Sequence, residues 1–325
     1  PQGFTIENGI IVPQDWFAIV FNPSFPYRLA HMAMAAFLVS ALLVAATAAF
    51  HLLKGRRDAL VKKSFSMAMW MILALAPLQM FVGDLHGLNT LEHQPAKLAA
   101  MEGHWETNKD HGMPLYLFGI PDMEAEETKY AIGIPNLGSL IMTHTLDGEV
   151  KGLKEFAPED RPNSLVVFWS FRIMVGLGVL MILMAVLGAW LRKTDKFYDS
   201  VWLHRFALYM GPSGFIALLA GWFTTEVGRQ PWVVYGVLRT KDTLSPVSAE
   251  QVGLTLIIFV MVYFIVFGVG IFYMLKLMRK GPEFIHSAPH SEQAVIQASK
   301  RPLSTIDDEN DLNKENPKQD QENQK

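Results

Sequence analysis

The sequence contains no cysteine, which excludes disulfide bonds, thiolate metal sites and iron–sulfur clusters. Charge is also scarce, since only 18% of the 325 residues are charged and the net charge is −3, and we expect no nucleic-acid partner. An N-terminal methionine and a signal-peptide pattern are both missing, because residues 1–27 have no basic start followed by an apolar core. We therefore expect the chain to begin inside a longer protein.

Hydrophobic residues, in contrast, make up 50% of the chain and its mean hydropathy is positive, at +0.20, a combination with low charge that soluble domains rarely show. A spanning helix needs roughly 20 mostly apolar residues. Five segments meet this requirement: 28–53, 64–83, 165–191, 205–224 and 251–277. They predict an all-α membrane protein, a bundle of about five transmembrane helices embedded in lipid.

Basic residues indicate the orientation of the bundle. They concentrate in segments 54–63, 192–205 and 276–280, which the positive-inside rule places in the cytoplasm. The remaining parts follow as an N-terminal periplasmic segment (1–27), helices 1–2 (28–83), a long periplasmic loop (84–164), helices 3–4 (165–224), a second periplasmic loop (225–250), helix 5 (251–280) and a disordered cytoplasmic tail (281–325). This topology predicts a multi-pass membrane protein.

The segment Gly221–Trp232 places a carboxylate, Glu226, and a guanidinium, Arg229, three residues apart at a predicted membrane boundary. Charge at the edge of the hydrocarbon region is costly without a partner, so such residues are candidates for function. Trp222 and Trp232 flank the pair. The structural alternative is that Glu226 and Arg229 neutralise each other within an aromatic belt.

Two residues near the periplasmic ends of predicted spans could bind a metal or haem. His31 opens a run of small residues that would let a flat macrocycle approach the helix, although a hydrogen bond between helices would also explain it. Met174 alone is more often a packing residue. Its neighbour Arg172, however, is a cation in an apolar run with no acidic residue nearby in sequence, and a haem propionate would suit it. A His/Met pair is a known haem-iron ligand set.

The long loop contains a segment in which Pro95 predicts the first turn of a helix. Lys97 and Glu102 then lie about 140° apart around that helix and flank it. Glu102 and Glu106, four residues apart, are expected to share a face beside Trp105. Such groups could hold a quinone head and accept its protons, or they could form a solvated surface helix.

Three motifs in this sequence resemble subunit I of cytochrome bd quinol oxidase. They are Glu226-Val-Gly-Arg229-Gln-Pro-Trp232, Ser170-Phe-Arg172-Ile-Met174-Val-Gly176, and Lys97-Leu-Ala-Ala-Met-Glu102 ahead of Trp105-Glu106-Thr107. They occur in the family's order and separation, and the resemblance covers about residues 20–280.

The resemblance implies roles for the candidate residues. His31 and Met174 would be the axial ligands of the low-spin haem b558, with Arg172 beside that haem. Lys97 and Glu102 would belong to the quinol-binding loop.

The resemblance also assigns the charged pair at the end of the fourth span. Glu226 would serve haem b595 as its iron ligand, Arg229 would lie near haem propionates, and Trp222 would lie between the haems.

The family has nine spans and this chain resembles only the last five, so we expect further N-terminal helices of subunit I. The loop runs from Gly152–Phe156 straight to the third span, which resembles the short-loop, cyanide-insensitive branch.

The implied activity is quinol:oxygen oxidoreductase, incomplete on this chain alone. Quinol would be oxidised at the periplasmic side, and electrons would pass through haems b558, b595 and d, or a b-type haem in place of haem d, to reduce dioxygen to water. Subunit II is the implied partner. Two alternatives remain: a non-catalytic membrane cytochrome with a single His/Met haem, and a haem-free transporter or scaffold.

Overall fold

The computed structural model describes residues 1–109, 111–243 and 247–281, and most of the predicted tail lies outside them. The described residues are mostly helical. Five helical stretches are long and apolar enough to cross a membrane: Phe25–Leu53, Ala59–His93, Pro158–Lys193, Val201–Gly228 and Ala249–Lys280. The predicted fold class and the number of spans are confirmed.

The helices, in chain order, are α1 (Trp16–Val20), α2 (Phe25–Leu53), α3 (Ala59–His93), α4 (Pro95–Glu102), α5 (Leu137–Thr143), α6 (Ser164–Lys193), α7 (Val201–Met210), α8 (Ser213–Gly228) and α9 (Ala249–Lys280). The strands form three antiparallel hairpins: β1 (Phe4–Glu7) with β2 (Ile10–Pro13), β3 (Leu115–Asp122) with β4 (Glu127–Ile134), and β5 (Trp232–Val234) with β6 (Leu238–Arg239).

Two helix boundaries differ from those predicted. α3 does not end near residue 83 but continues for about three more turns to His93, so Gly83 and Asp84 lie inside a helix. The predicted fourth span is broken into α7 and α8 at Gly211 and Pro212. Proline lacks the N–H that a continuous helix needs and its ring clashes with the preceding turn, which explains the break.

The helical core is built on the small residues of α2. Ala41, Ala45 and Ala49 are buried and allow close contact with α3, α6 and α7 in one cluster that also contains Phe65 and Met184. This core lies between the middle of the spans and the end carrying the 54–63 connection, which we call the basic end. The opposite end, which carries α4, the three hairpins and the start of α6, is called the loop end.

Helix α9 has no buried residue. Its contact with α2 is at the basic end, where the main-chain oxygen of Met278 lies 2.9 Å from Nε2 of His51. An apolar helix of 32 residues exposed on all sides needs lipid or other protein around it.

The loop end has its own packed interior. Leu98, Met113 and Leu153 are almost fully buried there. Helix α4 starts with Pro95 and is capped after Glu102 by Gly103, whose φ of 70° is left-handed and suits glycine. Every α4 residue from Ala96 to Glu102 is buried. The helix is thus enclosed, and the alternative of a solvated surface helix does not apply.

Candidate functional site

His31 lies on α2 against α3. A Cβ atom at Gly83 would lie 3.2 Å from His31 Cε1 and 3.6 Å from Nδ1, so the absence of a side chain there makes room for the imidazole. Nδ1 is buried and has no hydrogen-bond partner among the described residues. The His86 ring centroid is 6.1 Å away. The hydrogen bond between helices that would explain His31 structurally is therefore not made through Nδ1.

Met174 lies on α6 against α8. Its Sδ atom lies 2.9 Å from the position that a Cβ atom would take at Gly221. Like His31, the residue is partly buried rather than exposed to the surroundings of the bundle. Each of the two candidate ligands thus occupies space left by a glycine of the neighbouring helix.

The heights of these two residues can be compared through α3, which contacts α6. Met80 Cε lies 3.9 Å from the Cβ position of Gly178. Gly83, which packs against His31, is three residues nearer the loop end than Met80, or about 4.5 Å along α3. Met174 is four residues nearer the loop end than Gly178, or about 6 Å along α6. His31 and Met174 therefore lie at similar heights.

Arg172 has an acidic partner in the fold, although none lies near it in sequence. Arg172 Nη2 lies 2.7 Å from Glu102 Oε2, and the two side chains are only 11% and 3% exposed. The main-chain oxygen of Tyr116 accepts a second hydrogen bond from Arg172 Nε at 2.5 Å, and the guanidinium lies 4.6 Å from the Phe168 ring centroid. The partner is 70 residues away in sequence, which sequence spacing alone could not reveal.

His104, which has no role in the sequence prediction, joins α4 to the β3–β4 hairpin. Its ring stacks on Tyr116 with centroids 4.6 Å apart and planes tilted by 14°. Nε2 lies 2.8 Å from the main-chain oxygen of Pro114. Burial lowers the pKa of His104, which favours the neutral ring in this stack. Tyr116 thus links His104 to Arg172.

Glu102 and Glu106 do not share a helical face, because α4 ends at Glu102. Glu106 instead forms an ion pair with Lys154, and its side chain is 75% exposed. Trp105 is 5% exposed, and its Nε1 is buried without a hydrogen-bond partner among the described residues. The two carboxylates are therefore in different environments, one enclosed and one solvated.

Lys97 lies on the other side of α4 and faces α8. It is 5% exposed, and its ammonium donates a long hydrogen bond of 3.5 Å to the main-chain oxygen of Thr225. Burial lowers its pKa to about 8; the nearby charges of Arg28 and Arg229 also lower it, whereas Glu226 raises it. Lys97 can therefore exchange a proton close to neutral pH.

Glu226 and Arg229 form an ion pair of 2.6 Å, and both side chains are about 40% exposed. The pair matches the structural alternative, in which each group neutralises the other. It leaves Arg229 Nε buried without a partner in the part of the chain that the structure describes, so the guanidinium can still donate a hydrogen bond to another acceptor. Trp222 is 56% exposed. At 100° per residue, Trp222, Glu226 and Arg229 lie on one side of α8, away from Gly221.

The segment after α8 is fixed by Arg239, which sequence reasoning did not single out. Its guanidinium lies 4.9 Å from the Trp232 ring centroid and 2.6 Å from Asp160 Oδ1. Trp232 and Arg239 are opposite each other in the β5–β6 hairpin, a pairing typical of an aromatic ring and a cation. The hairpin is thereby held against the turn that precedes α6.

The five spans and the enclosed polar residues at one end of them first define the class: an integral, multi-pass membrane protein with its candidate reactive groups near one membrane surface. The chain belongs to the cytochrome bd terminal oxidase subunit I family, whose model matches residues 1–282. This bacterial family implies haem cofactors and a place in the inner membrane. The resemblance seen in the sequence motifs is confirmed.

Individual relatives agree with this assignment. The chain is 35% identical over 316 residues to cytochrome bd ubiquinol oxidase subunit 1 of Bacillus subtilis, covering 94% of this chain and 66% of the relative. It is 29% identical over 346 residues to cytochrome bd-II ubiquinol oxidase subunit 1 of Escherichia coli, covering 86% and 66%. The structure of bd oxidase from Geobacillus thermodenitrificans matches with a TM-score of 0.78 and 33% identity, covering 87% of this chain and 64% of that one. The chain thus spans slightly less than two thirds of these proteins.

Proposed function

We propose that this chain is the loop-bearing part of subunit I of a terminal respiratory oxidase that oxidises quinol and reduces dioxygen to water. Family membership supports the reaction class. The observation that carries the proposal is the packing of His31 and Met174 at similar heights, each against a glycine, on different helices.

The residues fit a haem in two respects. The buried Nδ1 of His31 has no hydrogen-bond partner within residues 1–109, 111–243 and 247–281, and an imidazole and a thioether are a ligand set that raises the haem reduction potential. We assign His31 and Met174 to the low-spin haem b558. When bound, the haems supply the one-electron chemistry and the dioxygen chemistry, and the protein supplies ligation, orientation and charge.

The quinol site is assigned to α4. Lys97, with a pKa of about 8, can donate a hydrogen bond to a quinol oxygen or pass on a proton near neutral pH. The ion pair with Arg172 holds Glu102 in position. The Glu102 carboxylate is thus a hydrogen-bond acceptor on the side of α4 opposite to Lys97. Because basic residues cluster at the other end of the spans, we assign the loop end to the periplasm, where protons from quinol would be released.

The charged pair on α8 is assigned to the second haem. Glu226 would bind the iron of haem b595, and Trp222 would lie between haems. The Nε of Arg229, which has no partner among the described residues, would face a propionate. Haem d, or a b-type haem in its place, would need the part of subunit I that this chain does not span. Subunit II would complete the assembly.

The test uses the intact assembly that contains this chain. Met174→Leu should remove the low-spin b signal from the reduced-minus-oxidised spectrum while most of the protein still folds, because leucine fills the space but cannot bind iron. Oxygen uptake driven by a reduced quinol analogue should fall with it. An unchanged spectrum would remove the His31–Met174 assignment, and a wild-type assembly without quinol-driven oxygen uptake would exclude the oxidase.

A further inference from the structure

Three glycines recur every seven residues along α8: Gly214, Gly221 and Gly228. Seven residues correspond to two turns, so the three lie on nearly the same face of the helix. Each is closely covered by another helix. A Cβ atom would lie 3.0 Å from Val39 Cα at position 214, 2.9 Å from Met174 Sδ at position 221, and 3.1 Å from Lys97 Cε and Cγ at position 228.

The contact at Gly221 affects a candidate ligand atom directly. Carbon and sulfur atoms prefer separations of about 3.5–4.0 Å, so a methyl group at 221 would push Sδ away by roughly 0.6–1 Å. A methionine side chain is flexible, and the fold can absorb this shift at little cost. A metal bond tolerates only about 0.2 Å, however, so ligation is much more sensitive than stability.

The contact at Gly228 affects the other site in the same way. Three side-chain carbons of Lys97 lie 3.1–3.3 Å from the Cβ position. Lys97 is enclosed by α4 and α8 and has little room to move. A methyl group at 228 would therefore displace the ammonium from its place near Thr225 and Glu226.

We propose that Gly221 and Gly228 are positioning residues that fix Met174 and Lys97 against one face of α8, two turns or about 10.5 Å apart. This inference rests on the proposed function, because it takes Met174 as a haem ligand and Lys97 as a quinol residue. One helix thereby sets the spacing between the electron-donor site and the first haem.

The first experiment compares three alanine variants of the intact assembly. Gly221→Ala shifts or removes the low-spin b spectrum and lowers its midpoint potential. Gly214→Ala, equally tight but remote from any candidate ligand, reduces the yield and leaves the spectrum of the surviving protein unchanged. Gly176→Ala on α6, where none of the described residues lies within 4 Å of the Cβ position, changes neither.

The second experiment uses Gly228→Ala. The KM for short-chain ubiquinol and menaquinol analogues rises several-fold, because Lys97 must shift by a few tenths of an ångström and a misplacement of 1 Å can cost about 100-fold. The midpoint potential and spectrum of the low-spin haem stay unchanged, which separates positioning at the quinol site from general disruption.

The outcomes separate this inference from the proposed function. A wild-type assembly without a low-spin haem signal refutes the proposed function itself. If the wild type has the signal but Gly221→Ala matches Gly214→Ala in spectrum and potential, or Gly228→Ala retains the wild-type KM, the positioning role is overturned. If Gly221→Ala fails to assemble, the double variant Gly221→Ala with Met174→Ala must restore assembly, because it removes the clash between the new methyl group and the Met174 side chain. If the double variant also fails to assemble, the inference is overturned.

Discussion

The buried ion pair between Arg172 and Glu102 gives the sharpest test of the structure. Glu102→Leu would leave the guanidinium enclosed without its carboxylate. The hydrogen bond to Tyr116 and the Phe168 ring would remain, but neither neutralises the charge. Removing one partner of a buried pair costs about 3–5 kcal/mol, and we expect Glu102→Leu to fall in this range.

Graded substitutions distinguish charge from packing. Glu102→Gln retains an acceptor oxygen and loses the charge, so it should cost about 1–2 kcal/mol. The double substitution Glu102→Leu with Arg172→Met removes both charges, and replacing a buried pair by apolar groups is often close to neutral. The double variant should therefore be destabilised by clearly less than the sum of the two single variants.

The assay is unfolding of the detergent-solubilised assembly, followed by tryptophan fluorescence. Glu106→Leu is the matched control, because Glu106 is four residues away and forms a solvated pair with Lys154 that is worth about 0–1 kcal/mol. If Glu102→Leu were no less stable than Glu106→Leu, Arg172 would take its anion from elsewhere, such as a bound propionate, and the ion pair would not be part of the fold.

Two further predictions concern charge at the loop end. Burial lowers the pKa of Lys97 from 10.5 to about 8, so the folded state binds fewer protons than the unfolded state between these values and gains stability as pH rises through them. In melting curves, the wild type should gain about 3 kcal/mol of stability relative to Lys97→Met between pH 7 and pH 10.5. The control Lys151→Met, at an exposed position, should show no such trend. A pH-independent difference between Lys97→Met and the wild type would refute the burial of a charged lysine. Arg239→Ala removes the contacts with Trp232 and Asp160, which should lower the free energy of unfolding by about 1 kcal/mol. The segment after α8 should then become an early site of limited proteolysis. A wild-type cleavage pattern would contradict this prediction.

The sequence predicted the spans well because hydrophobic content decides which segments cross a bilayer. It did not predict where the helices end. Asp84 and His86 are polar and mark the end of the apolar run, but polar residues continue a helix as readily as apolar ones, and α3 runs on to His93. The break in the fourth span had a visible signal, Gly211-Pro212, because proline within an apolar run predicts a kink or an end.

The β3–β4 hairpin was missed although its signals are present. Large side chains alternate with small or polar ones along β4, at Tyr130, Ile132 and Ile134, whereas β3 begins with a nearly continuous apolar run, Leu115–Ile120. The turn between them is closed by Asp122, which accepts hydrogen bonds from the main-chain N–H groups of Glu124 and Ala125. An apolar run of strand length and a period-two strand on either side of a polar turn are signals of a hairpin. The long apolar runs of the spans dominate the hydrophobic pattern of this chain, and the short strand pattern does not stand out beside them.

The candidate site could be predicted as a set of residues but not as a geometry. Sequence motifs selected Met174, Lys97 and Glu102, and the small residues that follow it in an apolar span selected His31. The contacts that hold these side chains come from residues far away in sequence. Gly83 and Gly221 carry no side chain, so nothing in their own chemistry marks them as neighbours of a ligand. Only the packing of α3 on α2 and of α8 on α6 brings them there.

The arrangement also explains how a cation is retained inside an apolar span. Arg172 lies about 12 Å along α6 from its start at Ser164, and such a position is costly without a partner. Helix α4 brings the carboxylate of Glu102 to that position, and the hairpin adds a main-chain oxygen. Because Arg172 is two residues from Met174 on the same helix, α4 cannot move far without breaking the ion pair or displacing α6. The loop is thus mechanically connected to the helix that carries a candidate haem ligand, and a change that loosens α4 should be detectable at Met174.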